Sequence, residues 1–317
     1  MKIANQKIKA EKQLQSLVTS LRGGGIIAFP TETVYALAGD ARNLSAIKRI
    51  FRLKNRPLNQ ALSVLLPDSV YITEWASDIS PLAKRLADCF WPGPMTLIFN
   101  KKASVLAELT GGADKVGLRV PDHPFAQSLL RAFGGGLAAP SANRSKQLSS
   151  TRATQVRQAF GDELDAIIDA GPCLIGIEST IVDVSETIPR ILRLGAISQE
   201  AIERVIKSEL LNDPAKIEHN GSSRIKQIAW ADLKNVVCSY LNQGESVTVL
   251  AQQLANVSHP NLFWISMPEE VSDYARMLYH HLHEAEKNST NQILIESLPQ
   301  NTIWAGIQAR LARYATD

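Results

Sequence analysis

Short apolar runs alternate with helix-period patterns along most of this 317-residue chain, and a single polar stretch interrupts the alternation. A helix buries apolar residues three and four apart, whereas a strand covered on both faces reads as a short continuous apolar run. Leu14, Leu17, Val18 and Leu21 have the first spacing, and Gly23–Gly25 stops that helix. Ile26 to Phe29 has the second pattern and ends at Pro30. Ala46, Ile47, Ile50 and Phe51 mark another helix, and residues 62–66 another buried strand. Ser80-Pro81 is a helix start, with the hydroxyl as cap and proline in the first turn. That helix is expected to reach about Phe90, before WPGPMTLIF turns into a strand. Further strands are expected at 116–120, 166–168, 180–184 and 191–194, then a helix after Ile197 capped by Ser198. Strands alternating with helices predict an α/β fold around a mixed sheet.

The interruption is LNDPAKIEHNGSS, residues 211–223, which is polar and turn-forming and reads as a linker. The expected organisation is a first α/β domain over 10–207, a linker over 208–226 and a small α/β domain over 227–317. In the last, strands are expected at 246–250, 262–265 and 292–295. Val271, Ala275, Leu278, Leu282 and Ala285 form one helix face, and a final helix covers 303–312.

Composition narrows the function. Lys and Arg total 34 against 31 for Asp and Glu, a formal charge of +3, too weak for a dedicated nucleic-acid coat. Any anion site must come from local clusters. No apolar run approaches the roughly 20 residues of a membrane span, and the N-terminal residues lack the apolar core of a signal peptide. Cys89, Cys173 and Cys238 stand far apart and make no disulfide framework, so a cytoplasmic location is expected. There is no GxxxxGK[ST], no strand-linked GxGxxG and no HExxH, and Gly134–Gly136 also reads as a helix stop. His280, His281 and His283 share one helix, for which a solvated or half-buried face is the simpler account.

What remains is a set of polar segments at strand and helix ends, where open α/β sheets bind ligands. Thr31-Glu32-Thr33 follows the first strand; its hydroxyls could meet a ligand or simply cap a helix. Arg52, Lys54 and Arg56 cluster at a helix C-terminus that Pro57 is expected to end. They could complement the helix dipole or clamp a polyphosphate. Arg119 lies in an otherwise apolar strand and needs a carboxylate partner, from the protein or from a ligand. Ala139-Pro140-Ser141-Ala142-Asn143-Arg144-Ser145 with Ser149 could wrap a phosphate or satisfy its own loop. Gly176-Ile177-Glu178-Ser179-Thr180 and Arg193 complete the set.

In this order the segments resemble one family closely. FPTETVYALA, LKNRP, WPGPMTLIF, GLRVPDHP, APSANRS, GIESTIVD and ILRLGAI resemble the threonylcarbamoyl-AMP synthases of the YrdC-like family. YARMLYHHLHEAE, QILIESLP and AGIQARLARYA resemble the tail of its longer, two-domain form. The resemblance implies a twisted mixed-sheet domain with a concave basic face and a small Rossmann-like domain behind it. It implies a nucleotidyltransferase that makes threonylcarbamoyl-AMP and pyrophosphate from L-threonine, bicarbonate and ATP with Mg2+. The product would feed the threonylcarbamoyladenosine modification beside the tRNA anticodon, through a separate transferase complex; the charge of +3 and the apolar runs, for their part, predict at most weak tRNA binding and no membrane association. Residue by residue, it implies Thr33, Arg119, Ala139 and Ser179 for threonine. For ATP it implies Arg56, Gln60, Lys115, Ser141, Asn143, Ser149 and Arg193, with Lys54 and Arg56 at the catalytic centre. Two other readings compete: a carbamoyl-adenylating relative from hydrogenase maturation, and a non-catalytic RNA-binding module. Threonine-dependent release of pyrophosphate separates both from the first.

Overall fold

The computed structural model describes residues 2–207, 211–212, 224–255, 257–288 and 291–314. Its first half is built on a hairpin. β1 (Ile27–Pro30) turns at residues 31–34 and returns as β2 (Tyr35–Asp40), antiparallel, with Phe29 opposite Ala36. The helix cap, one of two readings for Thr31 or Thr33, does not form. The Thr31 hydroxyl instead donates to the Val34 carbonyl (2.7 Å) and accepts from the Val34 and Thr33 amides, which closes the turn. β2, YALAGD, has little intrinsic strand preference. It is a strand because β1 pairs with one of its edges and β6 (Leu137–Ala138) with the other.

α1 (Lys2–Arg22) ends at Gly24, where φ is +86°. α2 (Leu44–Lys54) is capped by the Asn43 side chain, which accepts from the Ser45 and Ala46 amides. It ends before Pro57. Asn55 takes the left-handed conformation at φ +50°, and its amide and that of Arg56 bond back to the last turn. Asparagine tolerates that conformation better than most residues. α3 (Pro81–Phe90) starts as expected, with Ser80 Oγ accepting from the Ala83 amide. α4 (Pro124–Phe133) and α5 (Ala153–Phe160), not anticipated, cover the sheet along with α6 (Gln199–Ile206), which Ser198 caps.

The remaining strands of this half are β3 (Val64–Leu65), β4 (Met95–Asn100), β5 (Lys115–Arg119), β7 (Ala166–Ile167), β8 (Thr180–Asp183), β9 (Arg190–Arg193) and β10 (Leu211–Asn212). With β1, β2 and β6 they form one ten-stranded mixed sheet, ordered β10-β9-β8-β4-β5-β3-β6-β2-β1-β7. Two apolar clusters fill it. One holds Ile26, Leu37, Ile50, Trp75 and Leu97; the other holds Leu21, Phe29, Leu129 and Leu137. Outside β10, the stretch 208–223 read as linker lies beyond the described residues.

The second half is a four-stranded parallel sheet ordered β11 (Ile225–Ile228), β14 (Gln292–Glu296), β12 (Val247–Ala251), β13 (Leu262–Ser266). β11 begins inside the stretch expected to be linker, and α7 (Trp230–Asn242) after it was not anticipated. α8 (Val271–Lys287) and α9 (Ala305–Tyr314) follow the expected pattern. The two halves share a core: Val34, Leu148 and Ile177 join Tyr274, Leu278, Leu282 and Ile307 in one buried cluster. Burying apolar surface on both sides of the junction fixes the second half against the first.

Candidate active site

A cavity of about 720 Å³ opens between the end of the large sheet and α9, a volume in the range of small-molecule sites. Every residue that the sequence singled out for threonine or ATP lines it, except Lys115. Lys115 sits at the start of β5. Its ammonium is 2.9 Å from Asp183 and 3.4 Å from Glu186, and the hydrogen bond to Asp183 raises its pKa.

At one end is Arg119, 7% exposed. Its Nη2 donates to Glu32 (2.6 Å) and to the Thr33 hydroxyl (2.9 Å), and its Nε to the Gly93 carbonyl (3.1 Å). Glu32 Oε2 accepts from the Asp122 amide, so the carboxylate is held on both oxygens. The partner required by a cation in an apolar strand is therefore Glu32, a residue that the sequence reading quoted but did not assign. Its signal lay in PTETVY: a carboxylate between two hydroxyls at a buried strand end. Ser179 stands near, its hydroxyl bonded to Thr96 (2.8 Å) and to Arg193 Nη2 (3.1 Å).

Lys54 is 1% exposed and donates to the Ser141 and Asn143 carbonyls, both at 2.5 Å. Burial drives its pKa well below the ordinary lysine value, and Arg56 and Arg313 add to the effect. The helix end and the serine-rich loop are stitched together further: the Ser145 amide reaches the Lys54 carbonyl and Arg144 the Leu53 carbonyl. Asn143 spends its amide on the Arg144 and Gln147 carbonyls at 2.8 Å each. Arg56 donates to the Gln60 and Ala61 carbonyls. The loop thus presents Ser141, Asn143 and Lys54 as one rigid wall.

Arg193 donates twice to the Ser179 carbonyl, at 2.8 and 3.2 Å. Burial and then the charge of Arg310 push its pKa down to about 9, while Glu178 opposes the shift. Glu178 accepts from Ser149 (2.7 Å), from Tyr279 on both oxygens (3.1 Å) and from Arg310 (3.3 Å). Burial by itself raises its pKa. Arg310, Arg193 and the Ser149 hydrogen bond outweigh that and hold the carboxyl at about 2. Tyr279, Arg310, Arg313 and Tyr314 belong to the second half of the chain and had not been picked out from the sequence. Arg310 and Arg313 are three apart on the last helix, a spacing that puts them on one face.

The chemistry of this wall is cationic. Lys54, Arg56, Arg119, Lys146 and Arg193 come from the first half, Arg310 and Arg313 from the second. Glu178 is the one carboxylate among the described lining residues. Such a cavity suits a polyanion beside a small hydroxylated ligand.

Two families match the chain in succession: "Telomere recombination" over residues 19–195 and "Threonylcarbamoyl-AMP synthase, C-terminal domain" over 197–316. The threonylcarbamoyl-AMP synthase of Bacillus subtilis is 32% identical, covering 96% of this chain and 93% of its own length. That of Pyrococcus abyssi is 31% identical over 92% and 91%. The chain belongs to the threonylcarbamoyl-AMP synthase family. A crystal structure of Pyrococcus abyssi Sua5 complexed with L-threonine superposes with a TM-score of 0.88 at 30% identity, covering 96% of both chains. The resemblance in the family's short motifs therefore extends to the whole fold, including the second half that walls the cavity.

Proposed function

We propose that this protein is a threonylcarbamoyl-AMP synthase, an enzyme of the nucleotidyltransferase type, acting on L-threonine, bicarbonate and ATP. The observation that carries this reading is the convergence of two residue groups, scattered over 160 positions from Thr33 to Arg193, on one cavity.

Arg119 holds the threonine carboxylate, with Thr33 and Ser179 offering hydroxyls and Ala139 leaving room beside its backbone. Glu32 behind Arg119 fixes the guanidinium before the ligand arrives, which lowers the ordering cost of binding. Arg56, Gln60, Ser141, Asn143, Ser149 and Arg193 hold ATP. Lys115 joins them only by leaving Asp183. The threonine amine adds to carbon dioxide derived from bicarbonate. The carbamate oxygen then attacks the α-phosphorus, the bond to the β-phosphate oxygen breaks, and pyrophosphate departs. Lys54 and Arg56 stabilise the charge that develops at the phosphoryl group. Positioning and electrostatics supply most of the catalysis in such transfers.

Among the described residues, no group of three His, Cys, Asp or Glu is placed to hold a metal ion. Glu178 is already engaged by Ser149, Tyr279 and Arg310. The cavity residues do not make a cation cage, so Mg2+ enters on the phosphates of its substrate, MgATP.

No described helix is long and apolar enough to cross a membrane. The three cysteines are free, which fits a reducing cytoplasm. The product is passed to a tRNA threonylcarbamoyl transferase complex, and contact with tRNA itself is weak at a net charge of +3.

The test is purified protein with ATP, Mg2+ and bicarbonate, with and without L-threonine, followed by mass spectrometry. The expected outcome is threonine-dependent pyrophosphate and a mixed anhydride with the mass of threonylcarbamoyl-AMP. Tight tRNA binding with no ATP turnover would replace the reading by that of an RNA-binding module.

A further inference from the structure

The last helix belongs to the C-terminal half of the chain, yet it walls the cavity next to Arg193 and Leu194. Its docking is close. A Cβ at Gly306 would lie 2.1 Å from the Gly195 carbonyl oxygen, so only glycine lets the two backbones meet. Arg310 is consumed by that docking. It is 3% exposed, and it donates to Glu178 from Nη1 and to the Leu194 carbonyl from Nη2 (2.8 Å). Arg310 thereby neutralises the one carboxylate of the described cavity wall.

Arg313 lies one turn further along the same face and also lines the cavity, its guanidinium 6.0 Å from the Tyr314 ring centre. Its charge is felt across the cavity by Lys54 and Arg193, whose protonated forms it disfavours after burial and nearer cations have done so. Lys54, Arg56, Arg193 and Arg313 thus line one cavity from both halves of the chain. A crowd of cations in a partly buried cleft is stabilised by an anion of several charges.

We infer that Arg313 is a ligand of the nucleotide's polyphosphate, so that the ATP site is completed by the C-terminal domain. Arg310 is a positioning residue that seats α9 against Glu178 and Leu194. The planar fork of Arg313 offers paired donors to phosphate oxygens, a geometry lysine lacks. This inference rests on the reading of the protein as an ATP-consuming synthase and deepens it.

The experiment uses the full chain in four forms: wild type, Arg313→Ala, Arg313→Lys and Lys234→Ala, the last removing an exposed charge outside the cavity lining. ATP and inorganic pyrophosphate binding are measured by calorimetry. L-threonine binding is measured separately, and thermal melting is recorded without ligand. Arg313→Ala is expected to weaken ATP and pyrophosphate about 10- to 100-fold, the usual range for a lost charge-assisted hydrogen bond. Arg313→Lys recovers part of that loss. Threonine affinity and melting temperature stay at the wild-type values, and Lys234→Ala is unchanged in all respects. Wild-type ATP affinity in Arg313→Ala overturns the inference and leaves the proposed function standing. So does a joint loss of ATP and threonine binding with lowered melting, which would make Arg313 a structural residue. A wild-type chain that binds neither ATP nor pyrophosphate sinks this inference and the proposed function together.

Discussion

The two ends of the cavity handle positive charge in opposite ways. At the end proposed for threonine, Arg119 already has its counter-charge: Glu32 lies 2.6 Å away and is itself held by the Asp122 amide. At the end proposed for the nucleotide, Lys54 donates to two carbonyl oxygens, and the charges of Arg56 and Arg313 lie around it. The contrast follows from the ligands. Threonine brings one carboxylate and its own ammonium, so a pre-paired arginine with its Nη1 still available suffices to orient it. A triphosphate brings several negative charges at once, which a wall carrying several cations suits. Losing a residue at the first end should therefore damage both fold and binding. Losing Arg56 or Arg313 at the second should damage binding alone.

Arg119→Ala gives the largest effect and the sharpest test of that contrast. It leaves Glu32 buried without its cation, a change that costs about 3–5 kcal/mol when one member of a buried pair is removed. Melting should fall and threonine binding should vanish. A variant with wild-type stability would show that the Glu32 pair is dispensable and would erase the distinction between the ends.

Arg56→Ala comes next. ATP-dependent pyrophosphate release should drop by about 10- to 100-fold, the range expected for lost charge-assisted contacts, while melting without ligand is retained. Normal turnover in this folded variant removes Arg56 from its role.

Glu178→Gln probes the junction of the two halves. The folded carboxyl, at about 2, lies below its ordinary value of 4.5, so the ionised form favours the native state. Its contribution is complete above about pH 4.5 and is lost as the pH falls toward 2. The wild type should lose stability over that window, and the glutamine variant, less stable at neutral pH, should lose less. Identical acid profiles would mean that Glu178 does not hold the halves together.

Lys115→Ala should give the smallest effect, less than about threefold on the KM for ATP, because its ammonium is engaged by the buried Asp183 and the exposed Glu186, both outside the cavity lining. A loss comparable to that of Arg56→Ala would show that Lys115 swings away from Asp183 to meet the nucleotide.

Much of the fold was legible because its signals are local. Ser80 and Ser198 cap the helices they announce, and Ile26 to Phe29 is buried as its apolar run requires. β2 was not legible, since an alanine- and glycine-containing run becomes a strand only through neighbours on both edges. α2 stopped at Asn55 rather than at Pro57, because a left-handed asparagine satisfied the helix end first. The residues proposed for threonine and nucleotide came from their motifs, and all but Lys115 line the cavity. Glu32 and Glu178 sat within the same motifs unassigned, since a carboxylate declares its role only once its cation is seen.

By itself, then, the sequence determined the alternation of strands and helices and most of the first half's share of the cavity wall. Those depend on spacing and side-chain type within a few neighbours. Tertiary structure alone decided which charges meet: that Glu32 faces Arg119, that Glu178 is claimed by Arg310 from 132 residues away, and that the last helix closes a cavity begun by the first hairpin. Electrostatic partnership depends on distance in space, and the order of residues along a chain does not encode that distance until the chain has folded.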